Sequence, residues 1–436
     1  MIRNCLLVLF FITFFSCRKD ADKVTPDPNA RLSFSSDTIK FDTLLSSVNS
    51  ITKRLLVYNR NKQAVKISEI KLETANSAYS INVNGKEGPV VSNIEIRGND
   101  SVYVFIKILI KPSDVNDPYL VTDNILFSTN GNVQKVVLLS YGQDANFYTG
   151  KTLACDTVWN NNKPHVIYDH VTVPQGCTLT INMGCRILFA KNSGMIVKGT
   201  LIVNGEHENR VIFRDDKISE KNNELPGQWR GLTFTASSTG NKFSWSEIRN
   251  ADTGISVEER TDNDTLPELY LSNCFIKNMK HHGVDAGGDI IAKNVLVHTC
   301  AGNVIRVKGS STVDIIHTTL ANYSYSFFRE FPIANFSGLT SASSCRITNS
   351  IIWGDFSNEL IVGGAFIGKN SIIRTNQNLP GENLLNQNPM FKIPVRSDFR
   401  LQDNSPAVDL GIDAGITKDL DNKDRDENPD AGCFEK

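Results

Sequence analysis

NCFIKN, residues 273–278, decides how this chain folds, because it recurs. Aligned with it stand WSEIRN from Trp245, NVLVHT from Asn294, HTTLAN from His317, NSIIWG from Asn349 and NSII from Asn370. The starts lie about 21 to 32 residues apart. The fourth position is always Ile, Val or Leu, Asn stands first in four of six segments, and Asn250, Asn278 and Asn322 fall five residues after a start. Repetition at this period specifies a solenoid.

The repeats are mostly Val, Ile, Asn, Ser, Thr and Gly, without helical periodicity. That argues against helical and leucine-rich repeats and for a right-handed single-stranded parallel β-helix. Each turn of such a coil adds about 4.8 Å, the spacing of strands. Equivalent side chains then stack, with apolar columns inside. Asn suits the bends, since it tolerates unusual backbone angles and its amide can bond to the Asn above and below.

Upstream, VTVPQGCTLTINMGCRILFAKNSGMIVKGTLIVNGEHENRVIFRDD (171–216) and GQWRGLTF (227–234) continue the short strands. With Trp229, Gly231, Leu232 and Phe234 in the second motif, this region resembles the opening turns of the pectate-lyase-like superfamily of parallel β-helix proteins, particularly secreted Bacteroidetes members. The likeness covers most of 165–375 and implies a fold rather than an activity. The C-terminus resembles the terminal segment of such proteins through Ser405, Pro406, Ala407, Asp409 and Gly411, then Asp419, Asp421, Arg425, Asp430, Gly432 and Glu435. Asn422 and Cys433 depart from the usual Gly and Ala. A solenoid needs its open strand edge covered, so residues 396–436 are read as a cap on the coil spanning 148–395.

Residues 31–147 hold about seven strand-like runs, from LSFSSDTIKFDTL to KVVLLSYG, separated by turns such as NRNK and TNGN. Such a series predicts an immunoglobulin-like β-sandwich. In VKISEIKL the apolar positions Val65, Ile67, Ile70 and Leu72 slip by one residue between 67 and 70. The fold class is therefore all-β: sandwich first, β-helix second. The sandwich resembles modules that precede larger domains in bacterial surface proteins, as spacers or partner-binding units.

The chain begins MIRNCLLVLFFITFFSCRKDAD. Arg3 and the apolar run from about Cys5 to Phe15 fit a secretory signal. The run is shorter than the about 20 residues of a membrane-spanning helix. Ser16 before Cys17 resembles a bacterial lipoprotein signal (1–17), which implies lipidation of Cys17. Phe14 and Phe15 depart from that pattern, and ordinary secretion is the alternative. RKDAD resembles the surface-export signal of Bacteroidetes lipoproteins. The resemblance implies an outer-membrane protein anchored by lipid and facing the cell surface, with the periplasmic face as alternative. Residues 18–30 read as a flexible tether.

The net charge of −1, without a basic stripe, excludes a nucleic-acid partner. A monomer is expected. With Cys5 in the signal and Cys17 lipidated, seven of the nine cysteines remain, an odd number, with no zinc spacing. Most read as small buried hydrophobes, and Cys177 with Cys185 is one pairing to consider.

Three constellations bear on function. In the acidic terminus, Asp419, Asp421, Asp424 and Asp426 are candidate calcium ligands. The EF-hand pattern fails, because Asp424 and Asp430 occupy the positions that need Gly and Glu, so solvated acidic turns are the simpler reading. Lys280, His281, His282 and Asp285 follow NCFIKN, where neighbouring residues of an extended segment point opposite ways. That speaks against a two-histidine metal site. Finally, HHGVDAGG (281–288), GNVIRVKGS (302–310) and SYSFFREF (324–331) are read as one column in successive turns. It places Asp285, Arg306, Lys308, Arg329 and Glu330 together, with Tyr323, Tyr325 and Phe327 as stacking surfaces.

That strip is expected to bind glycan or another surface partner without catalysis. The enzyme alternative is a polysaccharide lyase or glycoside hydrolase acting on uronate-containing polysaccharide, with Arg306, Lys308, His282 and Asp285 as candidate catalytic residues. No acidic cluster to hold calcium accompanies them, and no close aspartate pair suited to glycoside hydrolysis appears.

Overall fold

Among the described residues, the short apolar runs of both regions become strands. The structure, a computed structural model, describes residues 23–113, 115–217, 225–259, 266–309, 311–324, 328–340 and 344–436. The expected signal with Cys17, and Tyr325 and Phe327 of the expected strip, lie outside them. The described residues are all-β, their one helical element being a 3-10 turn at Pro394–Arg396, and no helix among them is long and apolar enough to cross a membrane. Contacts divide the chain between Asp144 and Ala145.

The first unit holds two five-stranded sheets. One orders Ser33–Phe34, Lys53–Asn59, Asp100–Ile108, Tyr79–Val83 and Lys86–Gly88, all antiparallel. The other orders Thr38–Leu45, Asn132–Gln143, Tyr119–Thr129, Val65–Leu72 and Val90–Ile96, with only the first pair parallel. Alternate residues of both sheets, among them Val57, Val104, Ile81, Ile67, Phe127 and Leu138, share one core. The slip in VKISEIKL is a register shift between Ile67 and Glu69, which turns both Ile67 and Ile70 inward.

The second unit is built from parallel strands in three faces. The first face runs from Thr157–Trp159 through Leu269–Ser272 and Ile290–Lys293 to Ala365–Lys369. The second includes Ser246–Arg249, Phe275–Met279, Leu296–Cys300, Thr319–Asn322 and Ile351–Gly354. The third includes Gly194–Val197, Gly231–Phe234, Ile255–Val257, Val284–Ala286, Ile305–Gly309, Ala334–Leu339 and Leu360–Val362. Each strand pairs in register with its counterpart one circuit later, so the chain coils.

The six aligned segments of NCFIKN type occupy the second face. Their fourth residues stack as Ile248, Ile276, Val297, Leu320, Ile352 and Ile373, all buried. Their first residues, Trp245, Asn273, Asn294, His317, Asn349 and Asn370, all adopt positive φ, as do Asn250 and Asn278. The column therefore marks the bend into each strand, and Asn lowers the cost of the left-handed backbone there. The amides bond between circuits: Asn294 Nδ2 donates to Asn273 Oδ1 at 2.6 Å, and Asn278 Nδ2 to Asn250 Oδ1 at 2.7 Å.

Trp229 of the upstream motif is buried, parallel to Phe189 at 4.0 Å, and its Nε1–H donates to Arg249 O. Gly231 sits at φ +114°, and a Cβ there would lie 1.7 Å from Thr253 O. These residues are structural.

One detail differs from expectation. Cys155, not Cys185, pairs with Cys177. The strands on either side, Thr157–Trp159 and Thr178–Asn182, pair with Thr157 opposite Leu179, and the same offset sets Cys155 opposite Cys177. The Cys185 thiol is buried and donates to Trp159 O. The C-terminal segment lies along the second face. Phe399, Leu420, Cys433 and Phe434 pack on Leu296, Ala321, Ile351 and Trp353 of the second face. The bend asparagines hold it laterally: Asn294, Asn349 and Asn370 donate to the carbonyls of Lys418, Ile412 and Leu410. The stretch after Ile373 also packs on the last circuit, where Gln377 Oε1 accepts from Val362 N, Thr375 Oγ1 donates to Leu360 O, and Leu379 packs on the core.

Candidate functional site: the outward row of the third face

On the third face, alternate residues point into the core and the others outward. The outward ones form a row in direct register: Thr233, Ser256, Asp285, Arg306 and Asn335. At about 4.8 Å per step this row is about 19 Å long. At the Thr233 end lies a hollow of about 230 Å³, lined by Asp169, His170, Arg230, Thr233, Thr235 and Glu258 among others. Asp169 Oδ2 lies 3.0 Å from His170 Nδ1. Neither Asp169, Arg230 nor Glu258 carries a signal in the sequence, because residues far apart along the chain meet only when circuits stack.

Register brings Asp285 and Arg306 together as expected. Arg306 Nε and Nη2 donate to the two Asp285 oxygens, each at 2.7 Å, and Lys308 Nζ stands 3.8 Å from Oδ1. Burial pushes the Asp285 carboxyl up, but the Arg306 bonds and charge outweigh it and hold the group below its ordinary value. The same bonds raise the Arg306 guanidinium against its own partial burial. An arginine so held keeps its proton, so it is ill suited to take one from a substrate.

The two histidines split. His281 is exposed, whereas His282 is half-buried and its Nδ1 accepts from Asn303 N at 3.0 Å. Burial, then the nearby Arg306 charge, lowers the His282 pKa. Its Nδ1 is thus committed to the backbone of the next circuit.

Of the rest of the expected strip, Arg329 and Tyr323 lie elsewhere. The rung after Ile305–Gly309 is Ala334–Leu339, so Asn335, not a residue of SYSFFREF, follows Arg306. Arg329 turns inward between exposed Phe328 and Glu330. Its side chain and that of Glu359 are both 0% accessible, joined by two parallel bonds, Nη1 to Oε2 at 2.8 Å and Nη2 to Oε1 at 2.5 Å. Arg329 therefore reaches no ligand: a buried carboxylate supplies its partner. Tyr323 packs toward Phe399 of the C-terminal segment, 6.4 Å between ring centroids.

The acidic terminus is engaged in its own structure. Asp419 is buried and accepts from the backbone N–H groups of Asp421, Lys423 and Glu435. Asp421 takes two bonds from Arg400, Asp424 pairs with Lys418, and Asp426 accepts from Asn428 N. Among the described residues, no three His, Cys, Asp or Glu side chains are grouped to hold a metal ion.

No family model matches the chain. Protein bark beetle of Drosophila melanogaster is 30% identical over 103 residues, which cover 23% of this chain and 3% of that protein's length. Among solved structures, a PapD-like domain of human CEP192 matches 28% of this chain and 92% of its own at 13% identity, with a TM-score of 0.20. A family 123 glycoside hydrolase from Clostridium perfringens matches 27% of this chain and 30% of its own at 10% identity, also with a TM-score of 0.20. Likenesses this distant leave the function to the geometry.

Proposed function

We propose that this chain is a lipid-anchored outer-membrane protein in which an immunoglobulin-like sandwich carries a right-handed β-helix of the pectate-lyase-like kind. The third face of the β-helix binds an extended, uronate-containing glycan without cleaving it. One observation carries this reading: the polar row from the hollow at Thr233 to Asn335 is evenly spaced. A polymer with a repeat of comparable length meets a polar group at every step: hydroxyls at Thr233 and Ser256, then the paired charges of Asp285 and Arg306, then the Asn335 amide. Arg306 and Lys308 supply positive charge for carboxylates, while the pairing of Arg306 with Asp285 opposes a role as base.

The test is calorimetric titration of the full chain with polygalacturonate, followed by absorbance for unsaturated ends. Binding without product is expected, weakened at least tenfold in an Asp285→Asn/Arg306→Gln double variant, which removes both members of the bidentate pair together. Unsaturated ends would overturn the non-catalytic reading, and undiminished binding by the double variant would remove the site from this row. No binding would favour a surface protein as partner.

A further inference from the structure

The first unit carries a second surface that departs from its own pattern. In Asp100–Ile108, the central strand of its sheet, Val102, Val104, Ile106 and Ile108 enter the core. Outward positions on such a strand are normally polar, as Ser101 and Lys107 are. Between them stand Tyr103 and Phe105, exposed at 44% and 43%. Their rings are 6.0 Å apart with planes 19° from parallel. Arg54, across the strand pair from Phe105, places its guanidinium 5.9 Å from the Tyr103 ring centroid.

Beside Phe105 opens a cleft of about 690 Å³, with Thr52, Ser80, Asn82, Glu87 and Lys107 in its lining. Asn82 lies directly opposite Phe105 in register, and Ser80 opposite Lys107. The hairpin Tyr79–Val83 and Lys86–Gly88 brings Glu87 to the same cleft. One wall is thus an aromatic ring, and the remaining groups offer hydroxyls, an amide, one carboxylate and one ammonium.

We infer that this cleft is a saccharide-binding site for a neutral pyranose chain. The C–H face of a pyranose is apolar and packs on an aromatic ring, while its rim of hydroxyls both donates and accepts. Ser80, Thr52 and Asn82 match that dual character. Glu87 and Lys107 balance in charge, which suits a neutral sugar rather than a polyanion. Shielding half-exposed rings on ligand contact supplies the apolar part of the affinity. The site is separate in chain and chemistry from the row on the third face.

The test is saturation-transfer NMR and calorimetric titration of the full chain with cellohexaose, xylohexaose and mannohexaose. At least one is expected to bind, with saturation at ring C–H protons, and Phe105→Ala is expected to weaken it tenfold or more. Phe105→Tyr keeps the ring and should retain binding, and Asp285→Asn/Arg306→Gln should leave it unchanged. Absence of binding by all three oligosaccharides overturns the inference. So does binding that survives Phe105→Ala, or that is lost in the double variant.

Discussion

Glu359→Gln tests the internal logic of the second unit. Its carboxylate accepts four bonds: two from Arg329, one from Ile333 N at 3.1 Å and one from Phe356 N at 2.8 Å. The Arg329 guanidinium also lies 4.1 Å from the Phe356 ring centroid. Glutamine keeps the shape and an acceptor but removes the charge, leaving a guanidinium in the interior without a counter-ion. Breaking one side of such a buried pair costs about 3–5 kcal/mol, whereas replacing both partners by apolar groups is near neutral. The loss should therefore be about 4 kcal/mol for Glu359→Gln and about 1–3 kcal/mol for Arg329→Met/Glu359→Gln, in which no charge is stranded and only one of the Ile333 and Phe356 N–H groups loses its acceptor. All four tryptophans lie after Asp144, so urea unfolding followed by tryptophan fluorescence isolates this unit from the first. A loss below about 1 kcal/mol for Glu359→Gln would mean that water reaches the guanidinium, and would refute the burial argument.

Acid should weaken the same unit. Burial pushes the His298 and His317 imidazoles from 6.5 down to about 3. The unfolded chain takes up these protons below pH 6.5 while the folded chain refuses them. This share of stability is therefore complete above 6.5 and lost toward 3, by about 1.4 kcal/mol per pH unit for each histidine. The urea midpoint should fall between pH 7 and pH 5, and His298→Leu should reduce that fall; equal pH dependence in both proteins would contradict it. Gly231→Ala should prevent ordered packing around Trp229, since the new Cβ would lie 1.7 Å from Thr253 O at a φ of +114°. A variant whose tryptophan emission and melting match the parent would show that the strand can move aside.

The repeat, its strands and its interior column were legible in the sequence, because stacking imposes the same requirement on every circuit. A buried position must be apolar and a left-handed bend favours Asn, so Ile276 and Asn273 announce themselves by recurrence alone. The Asp285–Arg306 pair was legible for the same reason, since neighbouring circuits keep equivalent positions adjacent. The inward turn of Arg329 was hidden, because Arg329 lies outside the periodic strands and its partner Glu359 is thirty residues away. The hollow of Asp169, Arg230 and Glu258 was hidden likewise, its members separated by loops of unequal length. The lateral seat of the C-terminal segment depended on carbonyls meeting the side chains of Asn294, Asn349 and Asn370. Periodic local chemistry is written along the chain, whereas a contact between non-equivalent segments depends on register, circuit length and burial, which exist only once the coil has closed.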